Sequence, residues 1–140
     1  MREGWLNDDY LILFDEAEFA GASDRYQISE ALPGYRIVGL RGWEDFIVQD
    51  RAGQTYSVPV VAPDLRCLAT FVPPNDRTLL KADDRFTGKI KWYVKPVAFG
   101  GSPDLGENLT WVSHEQHAQL VRWWNAKYRQ FKAQESDSNR

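Results

Sequence analysis

Apolar residues fall into short strand-length runs along most of the chain and take up helical spacing only near its C-terminal end. Tyr10-Leu11-Ile12-Leu13-Phe14 is the first such run and predicts a buried strand. Asp15-Glu16-Ala17-Glu18 then places a capping residue three positions before a glutamate, which predicts a short helix to about Ala20. Residues 35–40 and 45–49 are rich in β-branched and aromatic side chains. The stretch Gly39–Trp43 between them supplies two glycines for a turn, so they read as neighbouring antiparallel strands. Asp50-Arg51-Ala52-Gly53 suits a hairpin loop, and residues 55–61 resume strand composition, with Pro59 favouring a sheet edge or a strand end.

The pattern then weakens. Val72-Pro73-Pro74-Asn75-Asp76 is a loop, and residues 75–91 are polar enough to lie on the surface without regular structure. Residues 90–99 return to strand composition before the turn Gly100-Gly101-Ser102-Pro103. Ser113 and Gln116 have capping-box spacing, and His117, Leu120, Val121, Trp124, Tyr128 and Phe131 follow on one helical face. Residues 133–140 offer no apolar anchor to offset their ordering entropy and are expected to be disordered. The order of elements predicts one α+β domain over residues 1–132: an antiparallel sheet, helices packed on one side, and a long C-terminal amphipathic helix.

Composition narrows the function. The 140 residues include 6 Trp, 6 Tyr and 7 Phe, enough large aromatic area for a well-packed core. The lone Cys67 cannot form an internal disulfide, and no charged, apolar leader opens the sequence, so a cytoplasmic location is expected. No apolar stretch approaches the roughly 20 residues needed to cross a bilayer, so no membrane partner is expected. The net charge of −3 is divided unevenly: residues 1–70 hold 12 acids and 6 bases, residues 71–140 hold 8 acids and 11 bases. That imbalance argues against nucleic acid and for a basic protein partner. It also suits a surface kept acidic only for solubility.

Candidate chemistry is sparse. His114 and His117 are three residues apart, and a metal site would need further ligands from elsewhere. The expectation is no metal and no cofactor, with His117 a hydrogen-bonded core residue and His114 exposed in the first helical turn. No Gly-x-Ser-x-Gly elbow surrounds a serine, and the glycines at 100, 101 and 106 match neither a dinucleotide fingerprint nor a Walker loop. Gly100-Gly101, Asn108 and His117 resemble the second half of the HNH nuclease motif. Where that family places an acid-His pair shortly before the glycines, this chain has Trp92-Tyr93-Val94-Lys95-Pro96, which supplies neither the general-base histidine nor its metal-binding neighbour. The same residues suit a structural role, the glycines making a turn, Asn108 pinning it and His117 closing it against the helix.

Ala31-Leu32-Pro33-Gly34, Ile37-Val38-Gly39, Gly42-Trp43, Asp50 with Gly53, and Tyr56-Ser57-Val58-Pro59 resemble the central sheet segment of the SUKH superfamily of bacterial immunity proteins. Lys95 to Pro103, with Asn108, His117 and Trp124-Asn125, is similar to extensions attached to members of that group, although the helical segment that precedes their sheet is short or absent here. The resemblance implies an α+β fold and a non-catalytic cytosolic protein that binds a polymorphic toxin, often a nuclease, and blocks it. Candidate toxin contacts are the acids Asp8, Asp9, Asp15, Glu16, Glu18, Glu44 and Asp45, with Trp43 as an interface anchor or, alternatively, a core residue. A divergent HNH-like nuclease and a non-catalytic scaffold or regulatory module are the competing readings.

Overall fold

Two strands, β1 (Arg2–Leu6) and β2 (Asp9–Leu13), open the chain as an antiparallel hairpin turned by Asn7 and Asp8. In the computed structural model, which describes residues 1–93 and 109–138, four more strands extend this hairpin. They are β3 (Arg36–Arg41), β4 (Asp45–Gln49), β5 (Thr55–Pro59) and the two-residue β6 (Ala69–Thr70). Together they form one antiparallel sheet in the order β1-β2-β3-β4-β5-β6. A separate two-stranded sheet pairs β7 (Ile90–Tyr93) with β8 (Leu109–Val112). The helices are α1 (Phe19–Arg25), α2 (Ile28–Ala31) and α3 (His114–Ser138).

The alternation along the strands divides the sheet into two faces. Tyr10, Ile12, Ile37, Leu40, Phe46, Val48 and Val58 face the main core, where Ala22 of α1, Ile28 of α2, and Ala118 and Val121 of α3 cover them. The expected antiparallel sheet with helices on one side is the architecture observed. The other face carries a smaller cluster of Leu11, Leu13, Val38, Ile47 and Leu80. Its cover is the chain after β6, which passes from that edge of the sheet to the opposite one. There Lys81 bridges Trp5 of β1 through N–H···O bonds of 2.8 and 2.9 Å. Residues 75–91 are therefore not merely a surface loop: Leu80 and Ile90 are buried, and residues 77–79 form a 3₁₀ turn. Their high polar content hides the few positions that carry this packing.

Close backbone approach decides two glycines. A Cβ at Gly4 would lie 2.6 Å from the Lys81 carbonyl oxygen, and one at Gly39 would lie 2.5 Å from that of Ile12. Gly39 thus belongs to strand β3, at an irregularity in its pairing with β4, and not to the following turn. The turn itself uses Gly42 and Trp43, both at positive φ (59° and 63°).

Several boundaries differ from the sequence pattern. The Asp15/Glu18 capping box forms, but it starts a 3₁₀ turn over Glu16–Glu18 that runs into α1 and ends at Arg25 rather than near Ala20. The Ser113/Gln116 box caps α3 through reciprocal bonds of 3.0 and 3.1 Å. Along α3, His117, Ala118, Val121 and Asn125 are buried, whereas Phe131 is exposed because the helix extends beyond the core there. The α3 backbone continues through Ser138, six residues past Lys132, and Ala133, Gln134 and Glu135 are residues that favour helix without needing a packing partner.

Candidate functional site

The register places the β1–β2 turn, the β3–β4 turn and the end of β5 at one end of the sheet: Leu6 pairs with Asp9, Leu11 with Arg41, and Asp45 with both Arg41 and Pro59. Asp15, Glu16 and Glu18 follow β2 and lie at the other end. The candidate acids therefore form two groups and not one surface.

At the first end five aromatic rings pack together. Trp43 stacks on Tyr10 with centroids 4.8 Å apart, and meets Trp5, Phe86 and Trp111 edge-on at 6.1, 5.4 and 5.6 Å. Phe86 stacks on Trp111 at 5.1 Å. Hydrogen bonds fix the loop that delivers Phe86. Glu3 accepts from the Tyr10 hydroxyl and from the Gly88 amide, each at 2.9 Å, and Asp83 accepts from Trp5 Nε1 at 3.2 Å and from both ends of the Arg85 guanidinium fork. The Arg85 bonds hold the Asp83 carboxyl well below the usual carboxylate range.

Trp43 is half-buried inside this cluster, with an indole N–H that finds no partner among the described residues. The exposed ring at this end is Trp111, 42% accessible. The sequence pattern missed it because β8 is four residues long and adjoins a strong helix signal; the alternation Leu109-Thr110-Trp111-Val112 is its only trace.

The acids differ in what they touch. Asp8 and Glu44 are exposed in the two turns beside the cluster. Asp9 is half-buried and pairs with Arg41 at 3.4 Å, whose guanidinium lies 4.3 Å from the centre of the Phe71 ring. Asp45 is half-buried and accepts from Ser57 at 3.0 Å, and burial pushes its carboxyl up. At the far end the Met1 amine reaches Asp15 at 2.6 Å and Glu18 at 2.7 Å, holding both carboxyls below their ordinary range. Arg77 binds Asp15 at 2.6 Å and donates to the Phe14 carbonyl, which ties the segment crossing the back face to the start of the helical region. Glu16 is exposed.

His117 and Asn125 are anchors of α3. The Tyr26 hydroxyl lies 2.6 Å from His117 Nδ1, and burial pushes the tyrosine up and the histidine down to about 3. Tyr26 therefore donates to a neutral imidazole whose proton sits on Nε2, an atom with no partner among the described residues. His114 is partly buried, not exposed, and burial lowers it as well. Asn125 accepts from the Ala62 amide at 2.7 Å and donates to the Val60 carbonyl at 2.9 Å, fastening α3 to the chain leaving β5. Trp124 is half-buried against the main core and meets Trp123 edge-on at 4.8 Å. Gly100, Gly101 and Asn108 lie outside the described residues.

Among the described residues no group of three or more His, Cys, Asp or Glu side chains is arranged to hold a metal, and no helix is long and apolar enough to cross a membrane. The class defined by the fold is an α+β domain with a six-stranded antiparallel sheet. Compared with protein-family models, curated proteins and solved structures, the chain gives no match.

Proposed function

We propose that this chain is a cytoplasmic immunity protein of the SUKH type, which binds a basic polymorphic toxin, such as a nuclease, and neutralises it by contact alone. The observation that carries the reading is the aromatic end of the sheet. There an exposed Trp111 sits on a rigid ring cluster, and the adjoining turns present Asp8 and Glu44. A preorganised aromatic patch with charge at its rim is the surface chemistry of a protein interface, because rings that are already packed lose little entropy on binding. The acidic turns would steer a basic partner.

The test is recovery of the partner from native lysate on the purified chain, followed by co-production of the two in one cell. The reading expects a basic protein that arrests growth alone and is harmless when the chain is present. In the purified pair, Asp8→Lys with Glu44→Lys slows association about fivefold at low salt. A recovered partner that is not toxic, or whose toxicity the chain leaves unchanged, would overturn the immunity reading.

A further inference from the structure

Leu80 and Ile90 are buried, and none of residues 81–89 between them is. This segment closes on three consecutive residues of β1. Trp5 exchanges two backbone bonds with Lys81, at 2.8 and 2.9 Å, and its indole donates to Asp83 at 3.2 Å. Glu3 accepts from the Gly88 amide at 2.9 Å. Gly4 lies between them against the Lys81 backbone: the three atoms nearest an added Cβ would be the Lys81 oxygen, carbon and nitrogen, at 2.6, 2.7 and 3.0 Å. Other bonds stay within the segment. The Phe86 and Thr87 amides donate to the Asp83 carbonyl at 3.0 and 3.2 Å, the Lys89 amide donates to that of Phe86 at 3.0 Å, and the Asp83 carboxylate accepts from the Arg85 amide and guanidinium. Gly88, at φ 76°, stands near the Ile90 end.

We propose that residues 81–89 are a lid that lifts from β1 as one body about its buried ends, and that its closing seats Phe86 on Trp111. Leu80 stays with the back-face cluster and Ile90 with the main core, so the two ends are fixed points. The internal bonds travel with the lid, whereas those to Glu3 and Trp5 break when it lifts. A segment that buries no residue of its own opens at a smaller free energy than the sheet beneath it. Phe86 is what it delivers: the ring stacks on Trp111 at 5.1 Å and meets Tyr10 and Trp43 edge-on at 5.8 and 5.4 Å. The closed cluster leaves the Trp43 indole N–H buried without an acceptor among the described residues, and withdrawing Phe86 from that ring admits water to it, which favours opening. The inference rests on the aromatic end being the contact surface and adds its regulation. Only the closed lid backs Trp111 with a packed ring, so partner affinity scales with the closed fraction and a bound partner holds the lid shut.

The experiment is native-state amide hydrogen exchange on the full chain alone, followed by NMR together with the Trp111 indole resonance. The Trp5, Lys81 and Gly88 amides, all bonded across the lid's seam, should exchange at a common rate about a hundredfold faster than Ile47 and Val48 of β4, which has strands on both sides. Gly4→Ala should speed the three amides about tenfold further and shift the Trp111 resonance, with Ile47 and Val48 unchanged. Asp83→Ala removes the acceptor of the Trp5 indole and should act in the same direction about threefold, which keeps the test informative if Gly4→Ala does not fold. Exchange of the three amides at the rate of β4, three unrelated rates, insensitivity to the variants, or faster exchange with the Trp111 resonance unmoved would each overturn the inference. No partner enters this measurement, so failure of the lid and failure of the immunity reading are distinguishable.

Discussion

The two ends of the sheet hold the same kind of residue for different purposes. Beyond β2, Asp15 and Glu18 are consumed inside the molecule: the Met1 amine bridges them, and Arg77 joins Asp15 to the segment that crosses the back face. At the end defined by the β1–β2 and β3–β4 turns, Asp8 and Glu44 project beside a packed aromatic cluster. An acid-rich stretch is therefore not in itself an interface. What separates the two ends is whether a packed aromatic surface lies alongside the acids.

The largest effect expected from breaking this contrast falls on stability. Trp43→Ala removes the ring against which Tyr10, Trp5, Phe86 and Trp111 all pack, and should cost about 3 kcal/mol in denaturant unfolding. Trp111→Ala should cost distinctly less, because Trp111 is substantially exposed, while weakening partner binding more than any single acidic substitution. Equal stability losses at the two positions would contradict the division into a supporting ring and a contacting ring.

A second effect separates the anchored core from both ends. His117 is neutral when folded, and its value is pushed from 6.5 down to about 3, so the unfolded chain takes up a proton that the folded chain refuses. Its contribution to stability is complete above pH 6.5 and is lost as the pH falls towards 3. Asp15 and Glu18, with lowered values, add a loss of the same sign further into acid. His117→Gln retains an acceptor for Tyr26 without a titrating group. Its melting temperature between pH 7 and 4.5 should therefore fall less steeply than that of the wild type; parallel slopes would contradict the assignment.

The smallest effect is at the helical end. Asp15→Asn with Glu18→Gln should lower stability slightly and leave the association rate with the partner unchanged, in contrast to Asp8→Lys with Glu44→Lys. Stopped-flow association at low salt measures both. A slowing by the Asp15/Glu18 pair comparable to that of the turn acids would erase the distinction between the ends.

The sequence made the parts of this arrangement with strong periodicity or local chemistry readable. The apolar run at Tyr10, the capping boxes at Asp15 and Ser113, and the helical spacing from His117 to Trp124 all depend on neighbours a few residues away. What it hid depends on distant partners. Strand β1 carries arginine, glutamate and glycine and becomes a strand through pairing with β2 and Lys81. Phe86 and Trp111 are 25 residues apart and come together only when the β7–β8 hairpin meets the sheet end. The candidate Trp43 was located by its turn, but whether it faces outwards or supports other rings is a tertiary fact. Likewise nothing local to Asp15 foretells Arg77, 62 residues on.

The most direct measurement is an amide hydrogen-exchange footprint of the chain in complex with its recovered partner. The account predicts slowed exchange in residues 7–10, 42–45, 85–89 and 110–113, with residues 15–18 and 75–79 unchanged. Protection confined to those latter segments, with the aromatic end exchanging as in the free chain, would contradict it.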